Sequence, residues 1–232
     1  MAKKFEAIFF DIDNTLVDFV KMKEACCNEA MDAMIGAGLN IKKEEGMKIL
    51  FNLYNKYGIE YQHIFEKLLK ELKGKIDYRI VSYGVIAYRK MRENYLVSYP
   101  NVVSTLKILK ENYKLGIISD APVMQAWMRL VGMKLDNFFE VVVTKADSRR
   151  QKISPAPFKS ALKKMNVSPA KAIMIGDRIS RDIETPKKLG IKTIYARYGD
   201  LNPAQKDKSG ADAEIEDISQ VVSVVKEWEK QC

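Results

Sequence analysis

The stretch FEAIFFDIDNT, residues 5–15, decides how the rest of this chain is read. Phe5 to Phe10 is almost entirely apolar, as a parallel strand covered on both faces must be. The strand then runs into Asp11 and Asp13. In extended chain, residues two apart point to the same side, so the two carboxylates are expected to leave the strand end together. Close carboxylates raise each other's proton affinity unless a cation holds them. A hard divalent ion with oxygen ligands suits such a pair, and magnesium is the usual partner for phosphate chemistry. A polar turn with a helix cap would read the same way, so the residues beyond this stretch have to decide.

Outward from it, the texture changes twice. From about Val17 to Tyr95 there is no proline, and the first in the chain is Pro100. Apolar residues there recur at helical spacing in three stripes. These are Met47, Leu50, Phe51 and Tyr54; Tyr61, Ile64, Phe65, Leu68, Leu69 and Leu72; and Val81, Val85, Tyr88 and Tyr95. Gly36, Gly38, Gly58 and Gly74 punctuate the block, which reads as a small helical bundle. After Pro100, helical patterns alternate with the apolar runs KLGIIS, FFEVVVT, AIMIG and IKTIYA. Such alternation predicts a parallel sheet with covering helices. The tail places Ile218, Val221, Val222 and Val225 on one face of a last helix. The first strand therefore belongs with the second half of the chain, and an active site is expected at the C-terminal ends of the strands, under the inserted block.

Composition narrows the class of function. With 232 residues, 47% hydrophobic and 30% charged, the chain can fill a core and cover it. It has no apolar run of eighteen residues, so no membrane span is expected. The N-terminal apolar stretch is short, runs into acidic residues and lacks a small-residue cleavage site, so it reads as a strand rather than a signal peptide. The expected location is the cytoplasm. Cys26, Cys27 and Cys232 show no metal-binding spacing and are expected to be reduced thiols. The net charge of +9 is scattered in short pairs such as Lys42–Lys43 and Lys187–Lys188, with no nucleic-acid motif beside them. The expected partner is a small anionic substrate, with no nucleic acid and no membrane.

Four motifs then follow in a fixed order. FFDIDNTL carries Asp11 and Asp13. IISDA supplies Ser119 and Asp120, KISPAPF supplies Lys152, and IMIGDRISRDI supplies Asp177 and Asp182. As a set they resemble the haloacid dehalogenase-like superfamily of hydrolases. Ile153 stands where the third motif usually has proline, and Thr185-Pro186 where relatives often have Gly-Ala. The resemblance implies a Rossmann-like parallel sheet core, residues 1–16 and 97–232, with a helical cap domain, residues 17–96, inserted after the first strand. It implies a magnesium-dependent phosphatase for a small phosphorylated metabolite. Asp11 would be the nucleophile that forms an aspartyl-phosphate, and Asp13 the acid and then the base. Ser119, Asp120 and Lys152 would meet the substrate. Asp11, Asp177 and the backbone carbonyl of Asp13 would hold Mg2+, with Asp182 tuning the metal from behind.

Other residues carry weaker readings. Lys145 is a solvent-facing alternative to Lys152. His63, the single histidine, sits in a helical pattern without the neighbours of a histidine phosphatase, and no cysteine has an arginine six residues on. Gly36-Ala37-Gly38 follows no strand and is not a dinucleotide loop. Tyr54, Tyr57 and Tyr61 read as core of the helical block. A dehalogenase needs no leaving-group acid, so Asp13 argues against one. A phosphomutase, or a binding protein on the same fold, stays open at this point.

Overall fold

The computed structural model describes residues 4–200 and 209–231; Cys232, one of the three expected thiols, lies outside them. The chain divides into two compact units, Met1–Asp18 with Val97–Cys232, and Phe19–Leu96. Val17 stays with the first unit because it bridges both Asp13 and Ser98.

The first unit is a six-stranded sheet with all strands parallel. Its strands are β1 (Ala7–Phe10), β2 (Lys114–Ile118), β3 (Val141–Val143), β4 (Ala172–Gly176), β5 (Lys192–Ala196) and β6 (Ala213–Ile215). They lie in the order β3-β2-β1-β4-β5-β6. The expectation of an α/β, Rossmann-like parallel sheet is met. β1 is central, and its four residues AIFF are fully buried. Burying each phenylalanine contributes about 2 kcal/mol, which anchors the strand that ends in Asp11. Phe10 stands level with Ile117 of β2 and Ile175 of β4, so three strands end at one height. Chain order reverses beside β1, and the crevice at such a switch point is where open α/β sheets place ligands.

Helices follow the strands as the alternation predicts: α5 (Val102–Lys110), α6 (Val123–Gly132), α7 (Lys145–Ser148), α8 (Ala156–Met165), α9 (Thr185–Lys187) and α10 (Gln220–Lys230). Two features differ from the expectation. β6 was not anticipated, because an edge strand covered on one side shows no apolar run. The helix expected before Gly190 is wound as a π-helix over Ile179–Glu184 before α9 begins. The Thr185 hydroxyl donates to the Ser180 carbonyl five residues back, at 2.9 Å, which matches the wider winding.

The second unit is helical throughout: α1 (Phe19–Gly36), α2 (Lys43–Tyr57), α3 (Ile64–Lys73) and α4 (Tyr78–Tyr95). Its core gathers Met31, Met34, Leu50, Leu53, Phe65, Leu68, Leu69, Ile80 and Val81, which absorbs most of the three stripes. Tyr54 is buried as expected, whereas Tyr57 is exposed and packs on Tyr61 at 5.3 Å. Gly84 lies inside α4 where a Cβ would stand 2.8 Å from Met34 Cγ. It therefore lets α4 come close to α1. Cys26 and Cys27 are buried free thiols. Among the described residues no helix is long and apolar enough to cross a membrane.

Candidate active site

The site begins with how the chain leaves β1. The strand stops at Phe10, and the Asp11 N–H still donates to the Ile175 carbonyl of β4 at 2.9 Å. The chain then folds back at once. Leu16 N–H donates to Ile12 O at 2.8 Å, Asn14 N–H to Val17 O at 2.7 Å, and Asn14 takes a left-handed φ of 57°. The two-residue repeat of a strand no longer applies here. Asp11 and Asp13 therefore diverge, against the sequence expectation.

Asp11 turns toward β4. Its carboxylate oxygen lies 2.7 Å from the Lys152 ammonium, which also sits 2.6 Å from Asp182. One carboxylate oxygen each from Asp11, Asp177 and Asp182 lie within 4.8 Å of one another, and all three residues are buried. Asp177 is the residue after β4, and Thr15 Oγ1 stands 3.5 Å from it. Asp182 reaches the cluster from the π-helix, where its Oδ2 accepts the Arg178 N–H at 3.0 Å. A Cβ at Gly176 would come within 2.4–2.5 Å of the Asp182 side chain, so only glycine lets Asp182 pass there.

Asp13 does not join this cluster. Its Oδ1 meets Arg129 Nε of α6 at 3.1 Å. Ser119 follows β2 and is buried, and its Oγ accepts the Ala121 N–H at 3.2 Å. Asp120 next to it spends both oxygens on protein groups. Oδ1 accepts the Lys152 N–H at 2.8 Å, and Oδ2 accepts from Arg181 at 3.1 Å. Lys152 thus arrives on a loop tied to β2, between α7 and the Pro155 start of α8. Lys145 is exposed, whereas Lys152 is buried.

Electrostatics follow from burial. Burial pushes the Asp177 carboxyl well above the usual range, and the Asp11 and Asp182 charges push it further. Asp182 is raised by burial too, with Lys152 opposing. For Lys152, burial acts to lower the ammonium, but Asp11, Asp182 and Asp120 outweigh it and hold it above its ordinary value.

The chain matches the family of haloacid dehalogenase-like hydrolases over residues 8–196, a span that holds every residue just described. This chain belongs to that family. It is 35% identical to the glyceraldehyde 3-phosphate phosphatase of Pyrococcus furiosus, over 96% of this chain and 94% of that one. It is 33% identical to the glyceraldehyde 3-phosphate phosphatase of Methanocaldococcus jannaschii, over 97% and 99%. Among solved structures, an HAD phosphatase from Thermococcus onnurineus superposes with a TM-score of 0.68 at 24% identity, covering 95% of this chain and 98% of that one.

As a haloacid dehalogenase-like hydrolase of the phosphatase branch, the chain is an enzyme, and its buried cluster can be tested against a metal. Three buried carboxylates face one buried ammonium, which leaves two negative charges when all are ionised. The half-exposed Arg178 approaches Asp177 only at 3.7 Å. The donor atoms are all oxygen, the preference of hard divalent cations. The cluster therefore supports a divalent-metal cofactor. Arg129 was missed from sequence. A lone charged residue in the stretch VMQAWMRLVG of α6 was the available signal. His63 is exposed beside Glu66 and takes no part.

Proposed function

We propose that the protein is a magnesium-dependent phosphatase that hydrolyses the phosphate monoester of a small metabolite, glyceraldehyde 3-phosphate foremost. The observation that carries this reading is the buried Asp11–Lys152–Asp182 chain beside Asp177 at the sheet's switch point. The names of the relatives matched over nearly their whole length support the substrate. The free thiols of Cys26 and Cys27 suit the reducing cytoplasm.

In this reading Asp11 attacks phosphorus, and the bond from phosphorus to the leaving oxygen breaks. The Asp13 carboxyl gives its proton to that oxygen. Asp13 then takes a proton from water. The water oxygen attacks phosphorus, the bond to Asp11 breaks, and inorganic phosphate leaves. Ser119 Oγ accepts from Ala121, so its own hydroxyl proton can donate to a phosphoryl oxygen. Lys152 adds positive charge and aims Asp11. Asp120 is assigned to holding the Lys152 loop, since its engaged carboxylate would otherwise repel the substrate. Asp11, Asp177 and the Asp13 backbone carbonyl would hold Mg2+. Asp182, committed to Lys152 and the Arg178 N–H, orients the set from behind. When bound, the ion would neutralise charge on the phosphoryl oxygens. The unit Phe19–Leu96 is assigned as the cap that sets substrate choice.

The test is release of inorganic phosphate from glyceraldehyde 3-phosphate and a panel of phosphorylated metabolites. Chelator should abolish it and magnesium restore it. Full activity in chelator-treated protein would end the metal assignment. A ranking with glyceraldehyde 3-phosphate near the bottom would end the substrate assignment.

A further inference from the structure

Arg129 is a charged side chain that the motifs do not account for. It sits on α6, the helix that follows Ser119, and with Ala126 and Leu130 forms that helix's buried residues. Only 5% of it is exposed. Burying a guanidinium is unfavourable unless a partner compensates, and here Nε forms an ion pair with Asp13 Oδ1 at 3.1 Å. The Asp13 side chain remains one-quarter exposed, so it can be reached from outside while held from within. A guanidinium is planar and rigid, and it restricts the direction of a carboxylate more than an ammonium would.

We propose that Arg129 is a positioning residue for the proton transfer made by Asp13, an inference that rests on the role assigned to Asp13 above. Its guanidinium lies against Oδ1 and favours the negative charge there, so the exchanged proton is carried on Oδ2. α6 thereby couples the phosphate-binding Ser119 to the group that serves the leaving oxygen. Arg129 is assigned no contact with the reacting groups and acts through Asp13.

This role predicts dependence on the leaving group. An alkoxide needs a proton as it leaves, whereas p-nitrophenolate leaves without one. The quantity to measure is kcat/KM, which reports the steps through formation of the phospho-enzyme. Arg129→Gln should lower kcat/KM for glyceraldehyde 3-phosphate by about 10- to 100-fold, and for p-nitrophenyl phosphate by only about threefold, part of the range general acids contribute. Arg129→Lys keeps the buried cation without the fork and should fall between. It gives the same ratio should the glutamine variant fail to fold. An equal loss on both substrates, or no loss on either, overturns the proposal. Asp13→Asn is the reference. If it too affects both substrates equally, the proton-donor assignment falls and this inference with it. If Asp13→Asn is selective and the Arg129 variants are not, the inference alone falls.

Discussion

The two units bury charge in opposite ways. In the sheet unit, Asp11, Lys152, Asp177, Asp182 and Arg129 are all buried, and apart from Arg129 they crowd one strand end. In the helical unit, Lys23 is the buried charged side chain among the described residues. Its ammonium donates to Tyr88 Oη at 3.1 Å and lies 4.1 Å over the Tyr54 ring. A cation over aromatic faces is settled by its surroundings. Carboxylates that outnumber their cation are not, and they gain from an added charge. The crowded carboxylates coincide with the site proposed for catalysis, and the cation over aromatic rings does not.

The strongest way to break that comparison is at Asp11. Asp11→Asn should reduce phosphatase turnover at least about a thousandfold, as removal of a nucleophile does. Thermal unfolding should show the melting temperature kept or raised, since one of three crowded carboxylates is gone. Near-normal turnover would refute the nucleophile.

The two lysines sharpen it next. Lys152→Ala leaves three carboxylates without their buried cation and should cost about 3–5 kcal/mol of stability. Saturating magnesium should restore part of that loss. Lys23→Met in the helical unit should cost only about 1 kcal/mol, the scale of a cation–π contact, with no restoration by magnesium. Equal losses with equal metal response, in urea titrations, would erase the distinction between the units.

The smallest effects come from two glycines. Gly176→Ala pushes a methyl group into Asp182 and should lower turnover about tenfold, with about 2 kcal/mol of destabilisation from overpacking. Gly84→Ala meets the more adaptable Met34, and the helix propensity gained, about 1 kcal/mol, offsets the crowding. Its turnover and stability should stay near those of the parent.

Much of this was legible because it is periodic or terminal. The buried strands, the inserted helical block and the placement of Asp11, Ser119 and Asp177 at strand ends follow from apolar runs and where they stop. What could not be read depends on distant partners or irregular backbone. Asp13 was expected beside Asp11 because a strand repeats every two residues, but the turn at Asn14 ends that repeat. Its partner Arg129 lies far along the chain, with no local signal linking the two. The pairing of Asp182 with Lys152 comes from a π-helix, where α-helical spacing does not give the direction of a side chain. β6, in ADAEIE, is polar on its outer positions and lacks the run that announced the other strands.

The central place of β1 bears on how the chain is made. Ala7–Phe10 is made before either of its neighbours, β2 at Lys114–Ile118 and β4 at Ala172–Gly176. At about 5–20 residues per second, roughly 5–20 seconds pass before the first neighbour exists. The four helices of the inserted unit share a core of their own and can assemble in that interval. The strand that leads into Asp11 meanwhile waits as an unpaired apolar segment, the kind that chaperones hold. Its turn gains a further contact later still, when Tyr198 donates its hydroxyl to the Thr15 carbonyl at 2.7 Å. The strand that leads into Asp11 is therefore made well before Lys152, Asp177 and Asp182, the charged groups that come to surround that carboxylate.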